Sequence, residues 1–194
     1  MYKHLYNCFE SWFHGGTVWF YADPHFGEEE AKFFRKNNIS DEEQIARINS
    51  KIGKHDTIVI LGDIGDKEWL RKIRGYKVVL LGNHDAGATN YLGYADEVYE
   101  GPLWISEKIL LSHEPIDFPF VFNIHGHVHG APTMGTNHFN CCAELIDYTP
   151  VPLSFFLKNG MIKNTISLHR ATINQAKTTQ SLEELASKFE NSLS

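Results

Sequence analysis

The chain has 194 residues, of which 18 are Lys or Arg and 24 are Asp or Glu, so its formal net charge at pH 7 is −6. This length suits one domain with a sizeable core, and we interpret residues 1–194 as a single domain. The negative charge disfavours long nucleic acids and anionic membranes as partners, because both select basic surfaces.

Membrane insertion and secretion are also disfavoured by the sequence. No apolar run approaches the roughly 20 residues that a membrane span needs, and the first residues lack the apolar core of a signal peptide. The three cysteines form no disulfide framework, and Cys141 and Cys142 are neighbours that would face opposite sides of a strand. Unpaired cysteines are typical of a reducing compartment, so we expect a cytoplasmic protein.

The first half of the chain predicts strands that alternate with helices. Strands rich in β-branched and aromatic residues are predicted over 17–22, 57–61 and 77–81. Helices are predicted over 28–36, 40–52 and 66–74. The second of these begins with a capping box formed by Ser40 and Glu43, and Gly75 ends the third. This order is typical of parallel strands joined by crossover helices.

The second half predicts shorter and more closely spaced strands, over 97–100, 103–105, 109–112, 122–125, 138–145 and 161–168. Their spacing indicates a second and more antiparallel sheet. Two further helices are predicted, a short one over 154–158 and an amphipathic one that begins at Ser181. The predicted fold class is therefore α/β, with two sheets packed face to face and helices outside them.

Polar side chains follow five of these strands. They are Asp23, His25, Asp63, Asn83, His113, His127 and His129. Functional groups of α/β proteins meet at the carboxyl edge of a sheet, so we expect these side chains to converge. Carboxylate, imidazole and amide together suit divalent Mn, Fe or Zn better than Mg or Ca, which prefer all-oxygen ligands. The pattern predicts a centre of two divalent metal ions, an arrangement that can clamp a phosphate.

Each motif also has an ordinary structural explanation when it is taken alone. Asp23-x-His25 is more often a turn than a pair of ligands. His127 and His129 could line an exposed strand face. Their joint occurrence, each at the end of an apolar run, favours the metal centre.

The polar residues fall into a series of motifs, in chain order Asp23-x-His25, Gly62-Asp63, Gly82-Asn83-His84-Asp85, His113 and Gly126-His127-x-His129. This series resembles the calcineurin-like metallophosphoesterase family, and in particular its small bacterial and phage-type predicted phosphoesterases. The resemblance implies a four-layer α-β-β-α sandwich of two mixed sheets. The chain departs from the protein Ser/Thr phosphatases of the family, which have an arginine where Lys67 stands.

The resemblance implies two sets of metal ligands with a bridge between them. The ligands of one metal would be Asp23, His25 and His129. The ligands of the other would be Asn83, His113 and His127. The bridging carboxylate would be that of Asp63.

The resemblance also implies a catalytic role for the residues that follow Asn83. His84 corresponds to the histidine that binds the substrate phosphate or protonates the leaving oxygen, and Asp85 would orient its imidazole. The implied activity is that of a phosphoesterase in which a metal-bridging hydroxide attacks phosphorus in line, with Mn favoured over Fe or Zn.

The charge of the predicted centre favours a phosphodiesterase acting on small diesters, among them nucleotide-derived ones. Two divalent ions less Asp23, Asp63 and one hydroxide leave roughly +1, and Lys67 is the only cation in the surrounding loops. A dianionic monoester usually recruits an arginine or lysine as well. A phosphomonoesterase and a non-catalytic scaffold of the same fold are the alternatives, although such scaffolds typically lack the histidine that His84 matches.

Aromatic side chains in the same loops could hold an aryl group or a base on the leaving side of the substrate. The candidates are Phe26, Tyr91, Tyr94, Phe118 and Phe120. The run from Phe118 to Phe122 could equally anchor a buried loop.

Overall fold

The structure is a computed structural model that describes residues 5–13, 15–118, 121–131, 135–162 and 173–177. Its strands are β1 (Val18–Tyr21), β2 (Thr57–Leu61), β3 (Tyr76–Leu80), β4 (Glu97–Tyr99), β5 (Leu103–Trp104), β6 (Ile109–Leu111), β7 (Phe122–His125), β8 (His138–Asn140) and β9 (Val151–Pro152). The α-helices include α1 (Asp41–Lys51) and α2 (Leu153–Lys158). Shorter 3-10 helices cover Asn7–Phe13, Glu30–Phe33, Lys36–Asn38, Lys67–Lys72 and Ala88–Tyr91.

The strands form two mixed sheets. The first has the order β4-β3-β2-β1-β9, with β1 to β4 parallel and β9 antiparallel to β1. The second has the order β5-β6-β7-β8, with β5 antiparallel to β6 and the other two pairs parallel. The α/β class with two mixed sheets, predicted from the sequence, is confirmed.

Both faces of the first sheet are buried. Successive side chains of a strand point to opposite sides, and each set packs into a different core. On one face, Val18 and Phe20 of β1 belong to the core shared with Ile124 of the second sheet. On the other face, Tyr21 belongs to a second core that includes Ile48 of α1. Burial on two sides explains why these strands have continuous apolar sequences.

Helix α1 begins as the sequence predicts. The hydroxyl of Ser40 accepts a hydrogen bond of 3.1 Å from the backbone N–H of Glu43, as expected for a capping box. Two other predicted helices are not α-helices in the structure. The segment predicted over 28–36 forms two 3-10 helices of four and three residues, and the one predicted over 66–74 forms a 3-10 helix of six residues. None of the helices within the described residues is long and apolar enough to cross a membrane.

The segment after β1 has no regular α-helix because its side chains bind the turn that precedes it. Glu28 hydrogen-bonds to the ring of His25, with 2.6 Å between Oε2 and Nδ1. The guanidinium of Arg35 donates to the backbone carbonyls of Pro24 at 3.2 Å and His25 at 3.0 Å. These contacts hold both ends of the segment against the turn.

The strand predicted over 97–100 belongs to the first sheet and not to the second. It is β4, which pairs parallel with β3. The neighbouring Asp96 fixes this pairing, since its N–H donates to the carbonyl of Lys77 at 2.8 Å and its carboxylate accepts from the N–H of Lys77 at 2.7 Å. The connection from β3 is long enough for the crossover that parallel pairing needs. Since two pairs of the second sheet are also parallel, that sheet is less antiparallel than predicted.

The remaining differences lie near the end of the described chain. The strand predicted over 138–145 ends at Asn140, whose side-chain oxygen accepts a hydrogen bond of 2.9 Å from the N–H of Cys142. The predicted strand over 161–168 extends beyond the described residues, and the helix predicted from Ser181 lies outside them. The two-residue strand β9 is too short to give a sequence pattern and was not predicted.

Candidate metal centre

The seven candidate ligands lie just beyond the carboxyl ends of parallel strands. Asp23 and His25 follow β1, Asp63 follows β2, Asn83 follows β3, His113 follows β6, and His127 and His129 follow β7. Within the first sheet, Tyr21 is opposite Ile60 and Leu61 is opposite Leu80. The strand ends are therefore in register, and the side chains that follow them meet at one edge.

The backbone turns sharply at four of the seven ligands. The φ angle is 54° at Asp23, 44° at His25, 50° at Asp63 and 67° at His127. Left-handed backbone is uncommon for residues with a side chain and costs about 1–3 kcal/mol where the surrounding structure enforces it. Such strain is concentrated at functional sites, so these turns indicate that this edge of the sheet is a functional site.

Three glycines make room for ligand side chains. A Cβ atom would bring Gly62 into overlap with His113, Gly82 with Asp63, and Gly126 with Asp23. Each glycine directly precedes one candidate ligand and leaves space for another that comes from a different strand. The Gly-Asp, Gly-Asn and Gly-His pairs of the motifs are therefore packing requirements of the site.

The first group of ligand atoms comes from Asp23, His25 and His129. The Nε2 atoms of the two histidines lie 3.2 Å apart, and His129 Nε2 lies 3.8 Å from Asp23 Oδ1. One donor atom from each residue lies within 4.8 Å of the others. These are the three residues that the motif resemblance assigns to one metal.

The second group comes from Asp63, His113 and His127, again with donor atoms within 4.8 Å of one another. Asn83 joins them, because its Oδ1 lies 2.8 Å from His113 Nε2 and 3.0 Å from His127 Nδ1. Asp63 Oδ2 lies 3.4 Å from His113 Nε2 and 3.6 Å from His25 Nε2, and it is therefore placed between the two groups.

The donor atoms of both groups fit divalent metal ions. Imidazole nitrogens face each other at 3.2 Å in the first group and 3.1 Å in the second, with carboxylate oxygens beside them. Mixed nitrogen and oxygen donors that converge in this way are what Mn, Fe and Zn bind. The structure brings all seven predicted ligands together, and their binding of metal stays a prediction.

The pKa values of the buried groups show that the cluster requires positive charge. Burial raises the pKa of Asp23 to about 7, against the opposing charges of His113 and His129. Burial also acts to raise the pKa of Asp63, but the hydrogen bond and charge of His113 outweigh it and the pKa falls to about 2. Burial acts to lower the pKa of His113, but Asp63 and Asp23 raise it to about 9. Protons thus supply positive charge to the cluster when no cation is bound.

Two carboxylates orient histidines of the first group. Glu28 binds the Nδ1 of His25 at 2.6 Å, and Glu144 binds the Nδ1 of His129 at 3.0 Å. The side chain of Glu144 is buried and also accepts the N–H of Gly130 at 3.1 Å. A carboxylate behind a ligand histidine fixes its orientation and raises its basicity. Neither role was predicted. For Glu144, no sequence spacing connects the residue with His129.

Asp85 lies in a different environment from the one predicted. Its Oδ2 accepts the N–H groups of Asp63 and Gly82, both at 2.8 Å. Its Oδ1 accepts the N–H of Ile64 at 3.0 Å and the hydroxyl of Tyr91 at 2.7 Å. The described contacts include no hydrogen bond between Asp85 and the His84 ring. Asp85 therefore joins the turns after β2 and β3 instead of orienting the imidazole.

His84 is exposed at the mouth of the site. Its backbone N–H donates to Asp63 Oδ1 at 3.0 Å. Its ring centre lies 5.5 Å from that of His25, and the two rings are nearly perpendicular at 82°. The His84 side chain is thus next to the first group of ligands and open to a substrate.

Helix α1 holds the turn that carries Asp23 and His25. The side chain of Gln44 donates to the carbonyl of Pro24 at 3.2 Å and accepts the hydroxyl of Tyr21 at 2.5 Å. Asp41, the first residue of α1, accepts the N–H of Gly27 at 2.9 Å and pairs with Arg35. The amino end of the helix therefore fixes the backbone on both sides of His25.

Comparisons with known proteins agree with the fold and identify the family of the chain. Residues 16–141 match the model of the calcineurin-like phosphoesterases, and the chain belongs to that family. This confirms the family predicted from the motifs.

Solved structures that resemble this chain include the following two. The protein of unknown function AQ665 from Aquifex aeolicus has a TM-score of 0.62 and 24% identity, covering 74% of this chain and 98% of that chain. The nuclease MPE from Pseudomonas putida has a TM-score of 0.44 and 25% identity, covering 60% of this chain and 62% of that chain. No curated protein matches this chain in sequence.

We expect substitutions at the centre to change the metal content in two distinct ways. Asp63→Asn should weaken the binding of both ions, because Asp63 Oδ2 lies between the two groups. His129→Ala should mainly remove one ion. Mass spectrometry of metal per chain after dialysis against Mn²⁺ measures both effects. A wild-type chain that retains no transition metal and gains no activity with added Mn²⁺ would contradict the predicted centre.

Metal binding should release protons, and more of them at about pH 6 than at about pH 8. A metal must displace the protons held by Asp23, with a pKa of about 7, and by His113, with a pKa of about 9. Affinity should therefore rise with pH through this range. Calorimetric titration with Mn²⁺ in buffers of different ionisation enthalpy counts the protons, and a release that is independent of pH would oppose the assignment.

Proposed function

We propose that the protein is a phosphodiesterase with a dinuclear metal centre, acting on small diesters such as nucleotide-derived ones. Its membership of the calcineurin-like phosphoesterases and the two clusters of ligand residues support phosphate-ester hydrolysis. The choice of a diester rests on one observation, the charge of the side chains around the centre.

Glu28 and Glu144 lower the net charge of the proposed centre below the value that its metal ligands alone would give. Two divalent ions less Asp23, Asp63 and one hydroxide leave roughly +1. Glu28 and Glu144, each bound to a ligand histidine, lower this sum to roughly −1. Such a centre favours the phosphate ester with the smaller negative charge, which is the monoanionic diester.

Two cations of the described segments beside the ligand turns, Lys67 and Arg35, are already engaged. Lys67 Nζ donates to the carbonyl of Asn90 at 3.0 Å and lies 5.0 Å from the centre of the Tyr94 ring. Arg35 donates to the His25 carbonyl at 3.0 Å and pairs with a carboxylate of α1. A dianionic monoester usually recruits an arginine or lysine for its extra charge, and neither of these two side chains is available for it.

Four of the five predicted aromatic candidates make other contacts. Phe26 is fully buried and stacked on Trp69, and the hydroxyl of the buried Tyr91 binds Asp85. Arg71 lies 4.3 Å from the centre of the Tyr94 ring. Phe118 packs edge-on against Trp104, and Phe120 lies outside the described residues.

Phe34 is better placed to contact the leaving group. Its ring is stacked on His129, with 3.9 Å between the ring centres and 25° between the planes. It also meets the edge of the His25 ring at 5.1 Å. Half-buried beside two ligand histidines, Phe34 offers an apolar wall on which an aryl group or a base can stack.

We assign proton transfer to His84. Its side chain is exposed beside the His25 ring, and its backbone is fixed to Asp63. In this position it can hydrogen-bond a substrate oxygen and protonate the leaving alkoxide. When bound, two divalent ions would stabilise the charge of the phosphoryl oxygens and supply a nucleophile at neutral pH, and we favour Mn among Mn, Fe and Zn.

The proposal also includes the cellular compartment of the protein and the size of its substrate. Cys8, Cys141 and Cys142 are all unpaired, which suits the reducing cytoplasm expected from the sequence. The net charge of −6 supports a small phosphate ester, rather than a long nucleic acid, as the substrate.

The protein should prefer bis(p-nitrophenyl) phosphate to p-nitrophenyl phosphate. We expect the higher kcat/KM for the diester at saturating Mn²⁺, because the low net charge of the centre would bind the dianionic monoester less well. Phe34→Ala should lower kcat/KM for this aryl diester more than Phe33→Ala, since the Phe33 side chain is 91% exposed. A preference for the monoester by about tenfold, about 1.4 kcal/mol in the transition state, would overturn the diester proposal.

His84→Ala should lower kcat by ~10²–10⁴-fold, the usual contribution of a positioned acid or base, while both ions remain bound. Metal content by mass spectrometry, measured with kcat on the same sample, separates chemistry from binding. His55→Ala is the matched control, because His55 is an exposed histidine that precedes β2 at the opposite end of the strand. Loss of metal from the His84 variant would show that His84 is a ligand instead.

A further inference from the structure

The apolar wall beside the centre is formed by two stacked rings, Phe34 and His129. The two residues come from different parts of the fold. Phe34 lies in the segment after β1, and His129 lies in the turn after β7. A third part of the chain contacts both of these segments.

That third part is the turn after β8, residues 143–148, which we call the β8 turn. Near its start, Glu144 binds the Nδ1 of the stacked histidine at 3.0 Å. At its end, the hydroxyl of Tyr148 accepts the backbone N–H of Lys36 at 2.7 Å. Lys36 is two residues beyond Phe34, so one turn holds both members of the stacked pair.

The β8 turn is itself held in place by the fold. The N–H of Tyr148 donates to the carbonyl of Ala143 at 2.8 Å and closes the turn. Arg47 of α1 donates to the carboxylate of Asp147 at 2.9 Å and lies 5.8 Å from the centre of the Tyr148 ring. Since Tyr148 is only 2% exposed, packing fixes the position of its hydroxyl.

The backbone of the β8 turn is unusual at the residue that reaches Lys36. Asp147 and Tyr148 are both left-handed, with φ angles of 50° and 52°. Two successive residues with side chains rarely adopt this conformation, and it persists only where the surrounding structure enforces it. Strain of this kind is concentrated at functional sites, which supports a role for Tyr148 in the site.

The backbone on the carboxyl side of Phe34 has two anchors. Arg35 binds the turn that carries the first ligands, and its guanidinium donates to the His25 carbonyl at 3.0 Å. The hydroxyl of Tyr148 holds the next residue, Lys36. Phe34 is half-buried, so part of its ring is open to a ligand, and the position of that ring depends on both anchors.

We propose that Tyr148 is a positioning residue for substrate specificity. By holding the backbone of Lys36, it keeps Phe34 stacked on His129 and fixes the wall against which the aryl group or base of the substrate binds. The wall does not touch the reacting phosphorus, so the hydroxyl of Tyr148 contributes to substrate binding and not to the chemical step. The inference rests on the role that the proposed function gives to Phe34, but not on the diester preference.

Tyr148→Phe tests the proposal, because it keeps the buried ring and removes the oxygen that accepts the N–H of Lys36. We expect KM for bis(p-nitrophenyl) phosphate to rise roughly 2–10-fold, the range of one hydrogen bond, with kcat and Mn²⁺ content unchanged. Tyr99→Phe is the matched control, because the hydroxyl of Tyr99 binds Glu97 on β4 at 2.6 Å.

Lys36→Pro removes the same hydrogen bond from the exposed side, without a change in the core. Lys36 is the first residue of a 3-10 helix, where proline is tolerated, and the preceding Arg35 has the extended backbone that proline requires, with ψ at 123°. KM should rise as in Tyr148→Phe. Lys36→Ala keeps the N–H and should leave KM unchanged.

Hydrogen exchange measured by mass spectrometry on the metal-free, full-length chain gives a readout that is independent of activity. Residues 28–38 should exchange faster in Tyr148→Phe than in the wild type, and Tyr99→Phe should not change their rate. Unchanged exchange in this segment would show that Tyr148 does not hold it, and would overturn the inference.

A double-mutant cycle tests whether Tyr148 acts through Phe34. In the Phe34→Ala background, Tyr148→Phe should leave KM unchanged, because the ring that it positions is gone. An equal rise of KM in both backgrounds would overturn the inference, and so would an unchanged KM in Tyr148→Phe and Lys36→Pro. Loss of Mn²⁺ or of kcat in Tyr148→Phe would also overturn it, by showing that the turn acts on the metal centre.

The same variants separate this inference from the proposed function. A preference for p-nitrophenyl phosphate would contradict only the diester proposal, because the monoester carries the same aryl group and the cycle can be measured with it. Hydrolysis of neither ester would contradict the phosphoesterase function, and this inference with it.

Discussion

The site depends on the carboxylate of Asp63, which must lie between two clusters of imidazoles. One oxygen approaches His25 and His113, and the other accepts the N–H of His84. The backbone of Asp63 is fixed in turn by Asp85, through a hydrogen bond of 2.8 Å. A displaced β2 end would therefore disturb both metal positions and the exposed histidine together, which explains why so many hydrogen bonds converge on this one turn.

Much of the site could be predicted because its residues follow strands. An apolar run that ends in glycine and then a polar side chain identifies Asp63 and Asn83 without any structure. Glu144 and Phe34 gave no such signal. Glu144 reaches His129 through the turn after β8, and Phe34 reaches it through a segment that was predicted as a helix. Contacts made across the fold by irregular backbone have no periodicity to detect.

Much of the fold could also be predicted from apolar runs in the sequence. Continuous apolar runs indicate strands buried on both faces, and β1, β2 and β3 were located in this way. Sheet membership is not encoded in the run itself. The placement of β4 depends on hydrogen bonds between Asp96 and Lys77, which lie far apart in sequence. The segment over 28–36 has good helical composition, but Glu28 and Arg35 bind the ligand turn instead.

The contacts between α1 and the turn after β1 couple the helix to the predicted metal centre. Gln44 holds the Pro24 carbonyl, and Asp41 holds Gly27 and Arg35, which in turn holds the His25 carbonyl. Local opening of the first turn of α1 would release the backbone around His25 before any ligand bond is broken. We therefore expect retention of an ion at the predicted centre to depend on the fraying of this helix end as well as on the chemistry of the ligands.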